Sequence, residues 1–259
     1  MLTQLTPQQY PALREWFLPE QPGLGLVGLH ILNTGNGACF VDRWPKPCVV
    51  LANTAGNYFL AGDPAALTMA DLQEQVTGFV QTSTQFESLF RAAFPTVTVW
   101  DRVIAKLTNR PRVPAAGAAL VRRLEAGDAY LLWGVNPEMN WIWKTWGSPA
   151  ALAASEYAWG AFIDGRLVSI ACTFFVGDQY EEIGVVTDPA FRGLGLSAAC
   201  AGALCQDIQA RGRRPSWSTP PDNIASLRVA EKLGFTVTSR GFLYVVGITA
   251  PIPAQRQTG

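Results

Sequence analysis

The hydrophobic and polar positions along the chain change rhythm near its middle. Between residues 24 and 62, short apolar runs alternate with turn-forming clusters. Gly25–Leu32, Ala38–Asp42, Pro47–Asn53 and Asn57–Gly62 read as strands of a meander. They are separated by Thr34-Gly35-Asn36-Gly37, Arg43-Trp44-Pro45-Lys46 and Thr54-Ala55-Gly56, all rich in turn residues. Asp63-Pro64 predicts a helix start, because proline suits the first helical turn, and the helix is expected to run to about Val80. A second helix is expected over Phe86–Phe94. Asn109–Pro114 carries two prolines and little periodicity, which places a boundary there. An N-terminal accessory domain is therefore expected over 1–110 and a second domain over 112–250.

The second stretch opens on a predicted strand, Ala118–Leu124, followed by helical segments from about Gly127 to Ser155. Tyr157–Ile163 alternates as a strand and runs into Asp164-Gly165, a hairpin signal that demands two positive φ angles. Leu167–Val176 is the returning strand and Tyr180–Thr187 the next. Leu196, Cys200, Ala203, Leu204 and Ile208 recur at helical spacing, so a helix is predicted over about Leu194–Arg211. Pro215–Thr219 reads as a short strand. Asn223–Leu233 reads as a helix closed by Gly234. Phe235–Arg240 and Phe242–Ile248 read as a last pair of strands. The order is β, helices, β-β-β, α, β, α, β-β.

Composition narrows the function classes. Apolar residues make up 49% and charged residues 15%, which describes a packed globular chain. With 20 basic and 20 acidic residues the formal charge is zero, so no basic footprint for nucleic acid is present. Any phosphate-bearing ligand must be held locally. The five cysteines are odd in number and none has CxxC spacing, which fits reduced thiols and a cytoplasmic setting. His30 is the only histidine and lies in an apolar run, so it reads as structural. A histidine metal site or Ser-His-Asp triad is disfavoured, and no metal is expected. Met1–Tyr10 lacks the pattern of a secretory leader, and the longest apolar runs are too short to span a bilayer.

The stretch with most chemical content is Val185-Val186-Thr187-Asp188-Pro189-Ala190-Phe191-Arg192-Gly193-Leu194-Gly195-Leu196-Ser197-Ala198. A strand ends at Thr187, Pro189 breaks it, and two alternate glycines lead straight into a helix. The first turn of a helix has N–H groups without partners, and the helix dipole adds positive character there. Gly193 and Gly195 let a ligand approach the backbone closely. Arg192 adds a full charge. Together these suit a pyrophosphate. No GxxxxGK[ST] is present, which excludes a P-loop, and no GxGxxG with a downstream acidic residue supports a Rossmann site.

Arg192-x-x-Gly195-x-Ser197 resembles the Q/R-x-x-G-x-G/A signature of the GNAT superfamily of N-acetyltransferases. Asn223-Ile224-Ala225-Ser226, followed by Glu231-Lys232-Leu233-Gly234-Phe235, resembles that family's second hallmark. The resemblance covers about residues 117–248, and Ser197 is a mild departure from its final Gly or Ala. It implies a mixed α/β fold: a mostly antiparallel central sheet flanked by helices, here with a smaller α/β N-terminal domain. It also implies a cleft where central strands splay after a β-bulge. Acetyl-CoA would lie there, with its pantetheine arm on Val185, Val186 and Thr187. Its pyrophosphate would sit on Arg192, Gly193, Leu194, Gly195, Leu196 and Ser197, with Asn223 and Ser226 contacting it from the next helix. Asn223 also suits a helix N-cap.

Acetyl transfer needs a neutral amine, a base or water relay for its proton, and a stabilised thiolate. Glu181 and Glu182 sit on the strand lining the cleft, and alternation lets only one face the substrate. Glu182 is the first choice and Glu181 the second. Position 230, where many relatives carry a tyrosine acid, is Ala230, which leaves Tyr244 as a substitute. The expected activity is transfer of an acetyl group from acetyl-CoA to an amine-bearing substrate. A non-catalytic acyl-CoA-binding sensor is the competing reading. In the Trp141-x-Trp143-x-x-Trp146 cluster, two rings read as core and one as a wall of the acceptor pocket. Residues 1–110 carry no comparable motif and read as a substrate-recognition domain or, slightly favoured, a degenerate acetyltransferase-like lobe.

Overall fold

The apolar runs pair into one mixed sheet of 12 strands, which continues through both halves of the chain. The computed structural model describes residues 1–249; residue 250, the expected end of the second domain, lies outside the described residues. The first half holds β1 (Thr3–Gln4), α1 (Val27–Thr34), β2 (Ala38–Val41), β3 (Val49–Thr54) and β4 (Asn57–Gly62). It continues with α2 (Met69–Gln75), β5 (Gly78–Gln81), α3 (Glu87–Ala93) and β6 (Thr98–Lys106). The second half holds β7 (Leu120–Arg123), α4 (Ala129–Trp133), α5 (Pro149–Ala154), β8 (Ala158–Ile163), β9 (Arg166–Val176) and β10 (Tyr180–Thr187). It ends with α6 (Leu196–Ala210), β11 (Arg214–Thr219), α7 (Ile224–Leu233) and β12 (Thr236–Val246). Tight 3-10 segments at Pro7–Phe17, Gly23–Leu26 and Pro137–Trp146 complete the packing layers.

Local signals account for the second half. Asp164 and Gly165 both have positive φ, 49° and 74°, so the β8–β9 hairpin closes on the expected turn. The Asn223 side chain caps α7 by accepting from the Ser226 N–H at 3.1 Å, and Gly234 ends it in the left-handed region at φ 96°.

Four expectations are corrected. Gly25–Leu32 is helical: a 3-10 turn runs into α1, and Leu26, Val27, Leu29 and Ile31 are fully buried. A run apolar on every side suits a buried helix as well as a buried strand, and periodicity cannot separate the two. The predicted 64–80 helix is three elements, because α2 stops at Gln75 and β5 begins at Gly78, whose φ of 137° favours glycine. Thr98–Lys106 is a nine-residue strand with no sequence counterpart in the expected element order. The last pair of strands is one strand of 11 residues, β12, because Gly241 continues the ladder opposite Arg102 instead of turning.

The sheet order is β1-β2-β3-β4-β5-β12-β6-β11-β10-β9-β8-β7. In each lobe an antiparallel run leads to a parallel pair, β4 with β5 and β10 with β11. Each parallel pair is then flanked by an antiparallel strand from the other half of the chain: β12 pairs with β5, and β6 pairs with β11. The two exchanged strands pair with each other along Thr98–Lys106 at the centre of the sheet.

Helices cover both faces. In the second lobe α6 and α7 pack Leu196, Leu204, Ile208 and Leu233 on Val168, Ala171 and Trp217. On the opposite face, residues 124–153 bring Leu132, Ile142, Trp146 and Leu152 onto Ile170 and Cys172. A core shared by the lobes joins α1 and the 7–17 segment to Phe175 and Tyr180. Two buried polar side chains tie the same joint. Glu20 accepts from the backbone N–H groups of Asp178, Gln179 and Tyr180 at 3.2, 2.9 and 2.8 Å. His30 accepts from the Val176 N–H at Nδ1 (3.1 Å) and donates from Nε2 to the Thr145 carbonyl (3.0 Å). That pattern fixes the neutral tautomer, and burial pulls its pKa down to about 4. The structural reading of His30 agrees with this geometry.

Candidate active site

The site is built where β10 parts from its neighbour. Along one edge β10 pairs with β9 from Glu181 to Thr187, but its other edge pairs with β11 only over Tyr180–Glu182. Beyond Glu182 that edge has no partner strand, and Val185, Val186 and Thr187 become half-buried although they lie mid-sheet. Opposite the parting, β9 carries a bulge. Glu182 faces Phe175 and Ile183 faces Thr173, so Phe174 is the extra residue. The bulge lies on β9, so alternation along β10 is unbroken.

Past Thr187, Asp188 caps a short turn by accepting from the Ala190 N–H at 3.0 Å. Arg192, Gly193, Leu194 and Gly195 are exposed. Gly193 and Gly195 take φ of 85° and 79°, and a Cβ on either would meet nothing within 4 Å. The requirement for glycine is therefore conformational, and the space over the turn is open. Gly195 stands at the cap position of α6 with no side-chain capping bond, and the first helical turn keeps its outward N–H donors. Leu196 is buried, so only its backbone is available. Ser197 Oγ lies 3.1 Å from Thr187 Oγ1, which sits 2.7 Å from Ser169 Oγ. The residue that departs from the family signature thus ties the start of α6 to the end of β10. Arg192 pairs with Glu138 at 3.1 Å, an exposed ion pair of small worth that a stronger anion can displace. Asn223 is engaged as the α7 cap, and Ser226 Oγ accepts from Trp217 Nε1 at 2.9 Å.

The two neighbouring glutamates face opposite ways. Glu181 is fully buried on the α6 face, where Arg211 binds both its oxygens (2.9 and 2.7 Å). Arg213 and Thr173 Oγ1 add bonds at 3.1 and 2.5 Å. A carboxylate so engaged is a structural ion cluster, which corrects its place as second choice for the base. Glu182 points to the other face, toward the first lobe. Its Oε2 accepts from Ser216 Oγ at 2.5 Å and from the Gly23 N–H at 3.1 Å. Burial pushes its carboxyl above the usual range, while Ser216, Gly23 and the Arg102 charge pull part of the way back. Tyr244 is not brought to this place. It lies in the first lobe's core, 1% exposed and stacked on Phe90 with centroids 4.8 Å apart, so its expected acid role is corrected. Ala230 is buried against α6 and supplies no acid either.

In the tryptophan cluster two rings pack into the core and the third is exposed. Trp146 is buried and donates to the Thr173 carbonyl at 2.8 Å, and Trp143 packs against the same core. Trp141 is 39% exposed and meets Phe174, the bulge residue, edge-on at 5.3 Å. A Cβ on Gly184 would press on Phe174 and Ile142 at 3.1–3.3 Å, so Glu182, Gly184 and Val186 form a floor under these rings. Sequence reasoning missed the contributors from elsewhere: Gly23 before α1, Arg102 on β6, and Ser216 and Ser218 on β11. None belongs to a recognisable motif, and two come from the segment set aside as accessory.

Fold and cleft together define a class of acetyl-group transferases, and comparison with known proteins agrees. A family model described as GNAT acetyltransferase matches residues 140–242. An N-acetyltransferase encoded in the mutA 5′ region of Streptomyces virginiae is 36% identical over 214 residues, covering 81% of this chain and 90% of its own length. The Bacillus subtilis (strain 168) N-acetyltransferase YdfB is 22% identical, covering 95% of this chain and 99% of its own. Among solved structures, a GCN5-related N-acetyltransferase-like protein from Streptococcus suis 89/1591 superposes with a TM-score of 0.71 at 21% identity. That match covers 92% of this chain and 98% of that one. The chain belongs to the GNAT acetyltransferase family and is an N-acetyltransferase. Among the described residues no helix is long and apolar enough to cross a membrane.

Proposed function

We propose that this protein transfers the acetyl group of acetyl-CoA to an amine at the point where β10 leaves β11. The observation that carries the reading is continuous: an unpartnered strand edge, Val185–Thr187, runs into an exposed two-glycine turn at the start of a 15-residue helix. An extended pantetheine arm bears amide groups that can pair with that edge. A pyrophosphate fits the free donors of Gly193–Ser197, with Arg192 released from Glu138. Asn223 and Ser226 line the neighbouring helix end.

In this reading the amine nitrogen attacks the thioester carbonyl, the C–N bond forms, and the C–S bond breaks. Glu182 collects the amine proton through water, since it is only 4% exposed. A carboxyl raised above its usual range is the stronger base for that task. The thiolate leaves and takes a proton from solvent, since a thiol's pKa near 8.5 already makes it a good leaving group. The first lobe is a degenerate partner lobe. Its support is the repeated strand order, coupled with the absence after β4 of any glycine pair leading into a long helix.

A melting experiment tests the cofactor. Acetyl-CoA at 100 times its Kd should stabilise by about 2.7 kcal/mol, or about 5–10 °C for a chain of this size. Free acetate should do nothing. Equal shifts with NAD and acetyl-CoA would overturn the assignment, and amine-dependent thiol release tests the transfer itself.

A further inference from the structure

Resting on that reading, we infer that the acceptor is a zwitterionic amine that also carries a carboxylate, and that Arg102 holds the carboxylate. Arg102 stands on β6, the strand that the first half of the chain inserts beside β11. Its Nε donates to Ser218 Oγ at 3.1 Å and its Nη2 to the Ser218 carbonyl at 2.7 Å. Its guanidinium lies over the Trp100 ring at 4.8 Å. The head group is thus fixed in place, yet a guanidinium has five N–H donors and these contacts use two. No carboxylate pairs with it among the described residues. Glu182 acts on it only through space.

The surroundings suit an organic body between two charges. Trp100 and Phe79 pack together at 5.3 Å and stay half-buried, on the same face as Arg102. Gly241, opposite Arg102 in register, adds no side chain, and a Cβ there would meet only Ile104 at 3.8 Å. Across β11, Glu182 presents the opposite charge beside the parting of the strands. One cation and one anion on either side of a partly apolar floor complement a molecule with one carboxylate and one ammonium. A phosphate dianion would bring excess charge toward the buried Glu182. A half-buried guanidinium without an anion is also costly to keep, and a bidentate carboxylate meets its free edge.

The test uses acceptor pairs that differ only in charge: phenylalanine and leucine, each against its carboxamide, with acetyl-CoA and thiol release as readout. Wild type should favour the carboxylates by about 10–100-fold in kcat/KM, the range of a charge-assisted hydrogen bond. Arg102→Gln should collapse the acid-over-amide ratio through KM, while any change that loss of its charge makes at Glu182 falls equally on acids and amides, and Arg102→Lys should be intermediate. Unchanged melting temperatures confirm folding. Equal turnover of acids and amides by wild type, or an unchanged acid-over-amide ratio in a folded Arg102→Gln variant, overturns the inference while acetyl transfer stands. If no amine is acetylated, calorimetric binding of the same pairs decides separately. Arg102-dependent preference for the acids upholds the carboxylate site although the transfer reading fails, and absence of preference overturns it.

Discussion

Lowering the pH from 7 to 4.5 is expected to loosen the joint between the two lobes through His30, the chain's only histidine. In the folded protein its ring is fully buried, and both nitrogens are committed, one accepting from Val176 and one donating to Thr145. A second proton would place a charge in the core and turn the acceptor nitrogen against an N–H. Its pKa accordingly drops from 6.5 to about 4, with burial the cause and the Thr145 bond a smaller opposing effect. Between those values the unfolded chain binds a proton that the folded chain refuses. Stability from this group is complete above about 6.5 and is lost as the pH falls toward 4. The loss amounts to about 2.5 kcal/mol at pH 4.5. Glu182 works in the opposite sense, because its raised carboxyl takes up a proton in the folded state sooner than in the unfolded chain as the pH falls. A comparison of slopes removes that background. Urea unfolding followed by tryptophan fluorescence at pH 7, 6, 5 and 4.5 would give both slopes. His30→Gln should begin less stable but lose less on acidification. Parallel losses in wild type and variant would refute the reasoning.

Three further outcomes follow from the cleft and the strand beside it. Gly195→Val puts a β-branched side chain at φ 79°, a strain of about 1–3 kcal/mol, and fills the approach to the α6 N–H groups. Calorimetry should show acetyl-CoA affinity falling about 10–100-fold, and unchanged affinity in a folded variant would make the turn a mere connection. Glu182→Gln should keep acetyl-CoA affinity and slow turnover by about 10²–10⁴-fold at neutral pH, less at high pH where more amine is neutral. Glu181→Gln should instead lower stability, by about 1–3 kcal/mol, because an amide replaces the carboxylate that Arg211 and Arg213 share. Full rate in Glu182→Gln would remove the base from this strand.

The second lobe was legible because its signals are local. The Asp164-Gly165 turn, the Asn223 cap and the Gly234 stop each fix backbone angles within a few residues, so sequence alone places them. Glycine at 193 and 195 is legible for the same reason. That Glu181 and Glu182 face opposite sides also followed from alternation, and the facing survives because the bulge fell on β9 at Phe174. The first lobe was harder. Gly25–Leu32 is apolar on every side, so nothing in its pattern separates strand from helix. Thr98–Lys106 looks unremarkable by itself, with Asp101 and Arg102 in its middle. It becomes a central strand only because β11 and β12 flank it, and both lie more than 100 residues away in sequence.

That exchange of strands explains why the proposed acceptor side escaped the motifs. A family signature marks what binds the shared cofactor, and here it lies wholly in the second half of the chain. The proposed cleft needs more than that half provides. Beyond Glu182, β10 departs from β11, and β11 is held on its other edge only by β6. Residues of the first half therefore arrive at the parting by two routes: Trp100 and Arg102 along β6, and Gly23 through the turn whose N–H reaches Glu182. The composition break near Asn109–Pro114 marks a change in the path of the chain, but the sheet runs across it without interruption. A cofactor grip encoded in one half and an acceptor wall supplied by the other can vary independently. On the proposed reading, the first lobe, which has no two-glycine turn leading into a long helix after β4, is where the choice of acceptor is written.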